Sequence, residues 1–155
     1  MPRILVDTNL LLRIADPGAT QHLSATEAIA RLIGGGHEVC ICPQNVIEFW
    51  AVATRPVSAN GLGWSVSQTA SEVTEMESHF VMLPDTPEIY LTWKQFVSAG
   101  SITGKRVHDA RLASVSRVQQ CDALLTFNGS DFAAVPGLTL LDPDHPESWP
   151  QELSV

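Results

Sequence analysis

The chain has 155 residues, of which 45% are hydrophobic and 17% are charged, so its composition is that of one globular domain rather than of a disordered segment. Nine Lys and Arg against seventeen Asp and Glu give a formal net charge of -8, which argues against a broad basic surface that holds nucleic acid through many phosphates. A nucleic-acid enzyme that works through metal ions and a few local arginines is compatible with this charge.

Short apolar runs alternate with helical patterns along the first third of the chain. An uninterrupted apolar run between turn residues predicts a buried strand, and apolar residues that recur every three or four positions predict a helix. The glycines at 34–36 follow a helical pattern and lack a following Lys-Ser or Lys-Thr, which indicates a helix stop rather than a phosphate-binding loop. The predicted elements are strands at residues 4–6 and 39–42 and helices at residues 8–15, 22–33 and 43–54.

The alternation continues after a loop at residues 55–63, which is long enough to border a site. Ser65 and Gln68 have the spacing of a capping box, and Thr86-Pro87 predicts the start of a further helix. The remaining predicted elements are a helix that ends at Ser78, a helix that starts at Pro87, a helix at 107–119, and strands at 80–83, 123–126 and 138–141. Residues 142–155 contain three prolines and are predicted to be irregular.

Each predicted strand is an uninterrupted apolar run, and the strands alternate with helices. This arrangement is typical of a parallel sheet whose two faces are both covered by helices, so an α/β fold is expected. In such sheets, ligands bind beyond the carboxyl ends of the strands, at the point where the strand order reverses. Polar residues that follow strand ends, such as Asp7 and Asn128, are therefore candidates for a site.

Four carboxylates stand where such a sheet would bring four segments together. Acidic side chains in apolar surroundings are costly unless they are paired or bound to a cation. At an effective dielectric constant near 20, two carboxylates about 4 Å apart repel each other by roughly 4 kcal/mol. The cluster therefore implies a divalent metal or a raised pKa on one member, and we interpret it as a metal site. Its members are Asp7, Glu48, Asp109 and Asp131.

Each of these carboxylates also has an interpretation that needs no metal. Asp7 could be the N-cap of the following helix, and Glu48 could be a solvated helix residue. Asp109 could interact only with a helix dipole. Asp131 could cap a short turn, and Asn128 competes with it for the fourth position of the site.

The chain contains an odd number of cysteines, and Asp7 interrupts the first apolar run before it reaches the length of a secretory signal. We therefore expect reduced thiols in a cytoplasmic protein. Cys40 and Cys42 would point to the same face of a strand, but no second Cys or His pair stands at the spacing of a zinc site.

Four motifs of the chain resemble, in order and spacing, the acidic motifs of PIN-domain ribonucleases, and within that family the chain looks most like the VapC-type toxins of bacterial toxin–antitoxin pairs. The motifs are Val6-Asp7-Thr8-Asn9, Asn45-Val46-Ile47-Glu48-Phe49, His108-Asp109-Ala110-Arg111-Leu112-Ala113 and Thr126-Phe127-Asn128-Gly129-Ser130-Asp131-Phe132. The resemblance implies a three-layer α/β/α sandwich with a central, mainly parallel five-stranded sheet. It also implies a nuclease domain at residues 1–142, with the Pro-rich acidic tail at 143–155 packed on that domain or trailing from it.

The resemblance further implies metal-dependent hydrolysis of RNA phosphodiester bonds to 5′-phosphate and 3′-hydroxyl products, with Mg²⁺ or Mn²⁺ as the cofactor. Asp7 and Asp109 would bind the metal, and Glu48 would complete its coordination directly or through water. Asp131 would hold a second metal or orient the attacking water. The partners implied are a small cognate antitoxin and a second copy of the chain in a homodimer.

A further group of polar residues could support the acidic site or could be ordinary helix-start and surface residues. The candidates for orienting the carboxylates are Thr8, Asn9 and Asn128, and the candidates for phosphate contacts are Lys105, Arg106 and Arg111.

Two other functions stay open. A PIN-like fold could bind RNA or protein without cleaving it, although no acidic position is missing from this chain. An aspartyl-phosphate enzyme could use Asp7 as its nucleophile, but phosphatases of that type have a second Asp two residues later, where this chain has Asn9.

Overall fold

The computed structural model describes residues 1–154, and its strands and helices alternate as the sequence predicts. The strands are β1 (Arg3–Val6), β2 (Glu38–Ile41), β3 (Val81–Met82), β4 (Ala123–Leu125) and β5 (Leu140–Leu141). The helices are α1 (Thr8–Ala15), α2 (His22–Gly34), α3 (Pro43–Thr54), α4 (Val66–His79), α5 (Pro87–Ala99) and α6 (Arg106–Val118). No helix within these residues is both long and apolar enough to cross a membrane.

The five strands form one parallel sheet in the order β3-β2-β1-β4-β5. The chain moves outward from β1 to β2 and β3, then returns to the other side of β1 for β4 and β5. Leu5 accordingly pairs with Cys40 on one side and with Leu124 on the other. The strand order therefore reverses beside β1, and the carboxyl end of β1 opens at the crevice where sheets of this kind bind ligands.

The alternation of side chains along β1 separates two apolar cores. Ile4 and Val6 pack into a core formed with α1, α2, α3 and α4, whereas Leu5 packs into a core formed with α5 and α6. Successive strand residues point to opposite faces, so helices cover the sheet on both sides. The predicted three-layer α/β/α sandwich with a parallel five-stranded sheet is confirmed.

Two cysteines belong to the core on the α5–α6 side. Cys40 and Cys42 are both buried there, while Ile41 points to the opposite core, so the predicted shared face is confirmed. Burial raises the pKa of the Cys40 thiol to about 12 and that of Cys42 to about 11. Both thiols therefore stay protonated and act as small hydrophobic residues.

The edge strands are shorter than the apolar runs that predict them. β3 consists of Val81 and Met82, which are both exposed, and β5 consists of Leu140 and Leu141. An edge strand pairs on one side only, so its ends lose ladder hydrogen bonds first.

The capping box predicted at Ser65 is only half formed in the described chain. The backbone N–H of Gln68 donates to Ser65 Oγ at 3.0 Å, but the Gln68 side chain makes no return bond. The helix start with a side-chain return bond is that of α3, where the backbone N–H of Cys42 donates to Asn45 Oδ1 at 2.8 Å.

The segment after β5 contains two short 3₁₀ turns, at Pro146–Ser148 and Gln151–Leu153. The prediction that this segment is irregular is therefore wrong for these two turns. Trp149 and Leu153 are buried in the core on the α1–α4 side, and Trp149 Nε1 donates to the carbonyl of Asp142 at 2.8 Å. The two apolar side chains explain why a proline-rich segment folds back onto the domain. Val155 lies outside the described residues.

Candidate active site

The carboxylate of Asp7 lies directly beyond the carboxyl end of β1. Its Oδ1 accepts from the backbone N–H of Thr8 at 2.7 Å, and its Oδ2 accepts from Thr126 Oγ1 at 2.7 Å. Asp7 is thus the N-cap of α1, and it is also bonded to the residue that directly follows the neighbouring strand β4. The predicted N-cap role of Asp7 is therefore confirmed.

Asp7 is an acid that its surroundings make hard to ionise. Burial is the main cause that raises the pKa of Asp7, to about 6, and the hydrogen bonds from Thr126 and Thr8 oppose this rise. The nearby charges of Asp109 and Glu48 raise the pKa further. A bound cation would relieve both the burial cost and the repulsion.

Glu48 is held from two sides and is not a freely solvated helix residue. Its Oε1 accepts from Thr8 Oγ1 at 2.7 Å, and its Oε2 accepts from Gln44 Nε2 at 3.2 Å. Because Thr8 is the neighbour of Asp7, a single residue connects the carboxylates of α1 and α3. Thr8 thus contacts both carboxylates, Asp7 through its backbone N–H and Glu48 through its hydroxyl.

Two residues that the sequence analysis missed brace this arrangement from α3. Asn45 is fully buried, and its Nδ2 donates to the carbonyl of Val6 at 3.0 Å and to Thr8 Oγ1 at 3.2 Å. Gln44 Nε2 also donates to the carbonyl of His108 at 2.8 Å, which ties α3 to α6. The sequence feature that could have identified them is the pair Gln44-Asn45, two amide side chains in the first turn of a helix that follows an apolar strand.

Asp109 and Asp131 share one guanidinium group. Arg106 Nη1 lies 2.9 Å from Asp109 Oδ2 and 3.0 Å from Asp131 Oδ2. Burial raises the pKa of Asp109, the hydrogen bond from Arg106 opposes this, and the charge of Asp131 adds to the rise. The charge of Glu48 also raises the pKa of Asp109, as it does that of Asp7.

The other predicted supporting residues have varied surroundings. Asn128 is exposed, and its backbone N–H donates to Thr126 Oγ1 at 3.0 Å. Lys105 is exposed, whereas Arg111 reaches Gln44 Oε1 at 3.1 Å and Asp85 Oδ1 at 3.3 Å. These two basic residues therefore differ in how freely they can turn toward a ligand.

Asn9 stands two residues after Asp7, in the first turn of α1. Its Oδ1 is buried and has no hydrogen-bond partner among the described residues. An orphaned amide oxygen is costly to bury, and it is a hard ligand of the kind that binds Mg²⁺ directly or through water.

The donor set fits a divalent cation, although the side chains do not close around one. Carboxylate and amide oxygens suit Mg²⁺ and Mn²⁺. Within residues 1–154, however, no three His, Cys, Asp or Glu side chains converge tightly enough to coordinate an ion as they stand. Asp7 and Glu48 also form no ion pair with Lys, Arg or His in this part of the chain. The hydrogen bonds that they accept all come from neutral donors.

An open groove of about 860 Å³ adjoins the acidic residues. Thr8 and Glu48 line the groove on the side of the acidic residues, and Arg55, His108 and Arg111 also line it. The groove thus combines the edge of the acidic site with basic side chains in a chain that is otherwise strongly acidic.

The family model of the PIN domain matches residues 4–138 of this chain. No curated protein matches the sequence significantly. Solved structures with the same fold include VapBC-1 of nontypeable Haemophilus influenzae, which is 14% identical with a TM-score of 0.69 over 92% of this chain and 98% of that one. FitAcB of Neisseria gonorrhoeae is 19% identical with a TM-score of 0.66, and the match covers 92% of this chain and 99% of that one. VapC20 of Mycobacterium tuberculosis, a toxin that cleaves the sarcin–ricin loop, is 18% identical with a TM-score of 0.63 over 85% and 95%.

Proposed function

Because the chain belongs to the PIN-domain family, we propose that it is a metal-dependent endoribonuclease and the toxin of a toxin–antitoxin pair. The observation that carries this proposal is the connection of Asp7 to Glu48 through Thr8, at the carboxyl end of β1. Asp109 lies near enough for its charge to raise the pKa of Asp7. Three carboxylates gathered at the point of strand reversal support phosphodiester hydrolysis assisted by a cation.

In this proposal Asp7, Glu48 and Asp109 hold the ion, which is Mg²⁺ or Mn²⁺. The bound ion would polarise the scissile phosphate and lower the pKa of the attacking water. The hydroxyl of Thr8 fixes Glu48 Oε1, and the hydroxyl of Thr126 fixes Asp7 Oδ2. Each of these oxygens keeps a further lone pair for a ligand, so the two threonines orient the carboxylates without blocking them.

The groove beside Glu48 is the proposed path of the RNA strand. Arg55, His108 and Arg111 supply the basic and hydrogen-bonding groups there, and the exposed Lys105 adds a positive charge at the start of α6. Arg111 is ion-paired with Asp85, which also lines the groove, so Arg55 and Lys105 are the side chains left to offer positive charge along this path.

The toxin assignment and the partners rest on likeness of fold. A toxin–antitoxin complex of Klebsiella pneumoniae, 18% identical with a TM-score of 0.63, shares this fold. We propose a small antitoxin and a homodimer for this chain by analogy, in the cytoplasm where its thiols stay reduced. Growth arrest on expression of the chain, relieved by the Asp7→Asn substitution and by a small protein encoded next to it, is the expected result.

The deciding experiment is cleavage of a mixed RNA pool by purified, folded protein with Mg²⁺ or Mn²⁺. Cleavage should cease with EDTA and with Asp7→Asn, while Asp144→Asn, which removes one exposed carboxylate outside the site, should cleave like the unaltered chain. If the folded protein binds RNA but cuts none with either metal, the alternative of a catalytically silent binding module replaces the nuclease.

A further inference from the structure

We propose that Arg106 is a built-in counter-ion for the outer half of the acidic site, so that the chain holds one divalent ion, among Asp7, Glu48 and Asp109, and none between Asp109 and Asp131. This inference rests on the proposed metal-dependent function. It assigns Arg106 and Asp131 roles other than phosphate contact and metal binding.

The first observation is the position of the guanidinium. A single nitrogen, Arg106 Nη1, bridges Asp109 Oδ2 and Asp131 Oδ2 at 2.9 and 3.0 Å. These are the distances of strong charge-assisted hydrogen bonds. A metal ion that joined the same two oxygens, at about 2.0–2.1 Å from each, would need the space that this nitrogen occupies. The guanidinium and a bridging ion therefore exclude each other.

The second observation is that local structure brings Arg106 to this place. Arg106 starts α6 and stands three residues before Asp109, so both side chains lie on the same face of the helix. Asp131 comes from the 3₁₀ turn Gly129–Phe132, which packs against α6. The bridge thus follows from one helix turn and one tertiary contact.

The third observation is the uneven balance of charge. The outer pair, Asp109 and Asp131, has a guanidinium between its carboxylates. The inner pair, Asp7 and Glu48, is bonded only to neutral hydroxyl, amide and backbone donors in the described chain. The uncompensated negative charge is therefore concentrated on the inner pair. A divalent ion gains the most electrostatic free energy by binding there.

The test is Mn²⁺ binding to the full chain, measured by calorimetry and by the loss of the free-Mn²⁺ EPR signal. The unaltered chain should bind one Mn²⁺. Asp7→Asn should weaken binding at least about tenfold, whereas Asp131→Asn, which does not touch the inner site, should change it less than about threefold. Arg106→Gln should open a second, weaker Mn²⁺ site, and Lys105→Gln, a loss of charge one residue away, should leave one site.

Thermal unfolding provides a second measurement that does not depend on activity. Without metal, Arg106→Gln leaves Asp109 and Asp131 facing each other uncompensated, so its Tm should fall, and added Mn²⁺ should raise that Tm more than it raises the Tm of the unaltered chain. Two Mn²⁺ ions in the unaltered chain, or a tenfold loss of affinity in Asp131→Asn, would overturn the proposal while leaving a metal-dependent nuclease intact. A folded chain that binds no Mn²⁺ would overturn both.

Discussion

Thr8 Oγ1 donates to Glu48 Oε1 at 2.7 Å, although 40 residues separate the two along the chain. Thr8 is also adjacent to Asp7, and Asn45 donates to the same hydroxyl from α3. The relative position of the two inner carboxylates is consequently set by one buried hydroxyl group, and the site can be perturbed there without removing a charge.

Thr8→Val should weaken Mn²⁺ binding and slow RNA cleavage by about tenfold, because Glu48 loses the donor that orients it. Thr8→Ser, which keeps the hydroxyl, should restore most of both properties. Thr69→Val is the matched control, since Thr69 is also buried and its hydroxyl donates to the carbonyl of Ser65 just before α4, away from the site. Equal losses in the Thr8 and Thr69 variants would mean that Thr8 acts only on stability.

Asp7→Asn should stabilise the metal-free protein above pH 6. The pKa of Asp7 is raised from 3.8 to about 6 in the folded chain, so between these values the folded state holds a proton that the unfolded state has released. Stability therefore falls as pH rises through this window and stays lower above it. At about 1.4 kcal/mol per pKa unit, the substitution should raise the free energy of unfolding by about 3 kcal/mol at pH 7.5 and by little at pH 4.

Urea unfolding at several pH values with EDTA present measures this difference. Asp144→Asn serves as the comparison because its carboxylate is exposed. A gain for Asp7→Asn that is the same at pH 4 and pH 7.5 would contradict a raised pKa. In the unaltered chain Mn²⁺ affinity should decline below about pH 6, since the ion must displace the proton from Asp7.

Gln44→Leu should reduce the cleavage rate by about tenfold while the chain stays folded. Gln44 contacts Glu48, the carbonyl of His108 and Arg111, and so ties the two helices that carry Glu48 and Asp109. Gln119→Leu removes a similar glutamine bond, to the carbonyl of Pro84, outside the site. Steady-state kinetics should show the loss for Gln44 alone, and a loss confined to KM would indicate a role in substrate binding instead.

Trp149→Ala should destabilise the protein by about 3–5 kcal/mol, because it removes a large buried side chain from the core. Trp149 is only 5% exposed and its indole N–H is bonded to Asp142. Glu152→Ala, at an exposed position of the same segment, should change the free energy of unfolding by less than about 0.5 kcal/mol. Chemical denaturation of both variants makes the comparison, and a small effect of Trp149→Ala would mean that the segment detaches easily.

The fold class could be predicted from the sequence, and so could the four carboxylates that we propose as the site. Buried parallel strands must be apolar throughout, so β1, β2 and β4 stand out in the sequence, and the helices between them have the period of one buried face. Asp7 follows a strand end, and this position predicts a site because the ends of parallel strands meet at one edge.

The contacts of each side chain could not be predicted from the sequence, because they depend on how distant segments pack together. The lengths of β3 and β5 depend on their position at the sheet edges, and the burial of Trp149 depends on a core that forms elsewhere in the chain. Thr126, Asn45 and Gln44 acquire their roles only when residues far apart in sequence come within hydrogen-bond distance. Likewise, the sequence places Arg106 one helical turn from Asp109. Only the packing of the 3₁₀ turn against α6 brings Asp131 to the same nitrogen of Arg106. A bond between distant segments is a property of packing and not of local sequence pattern.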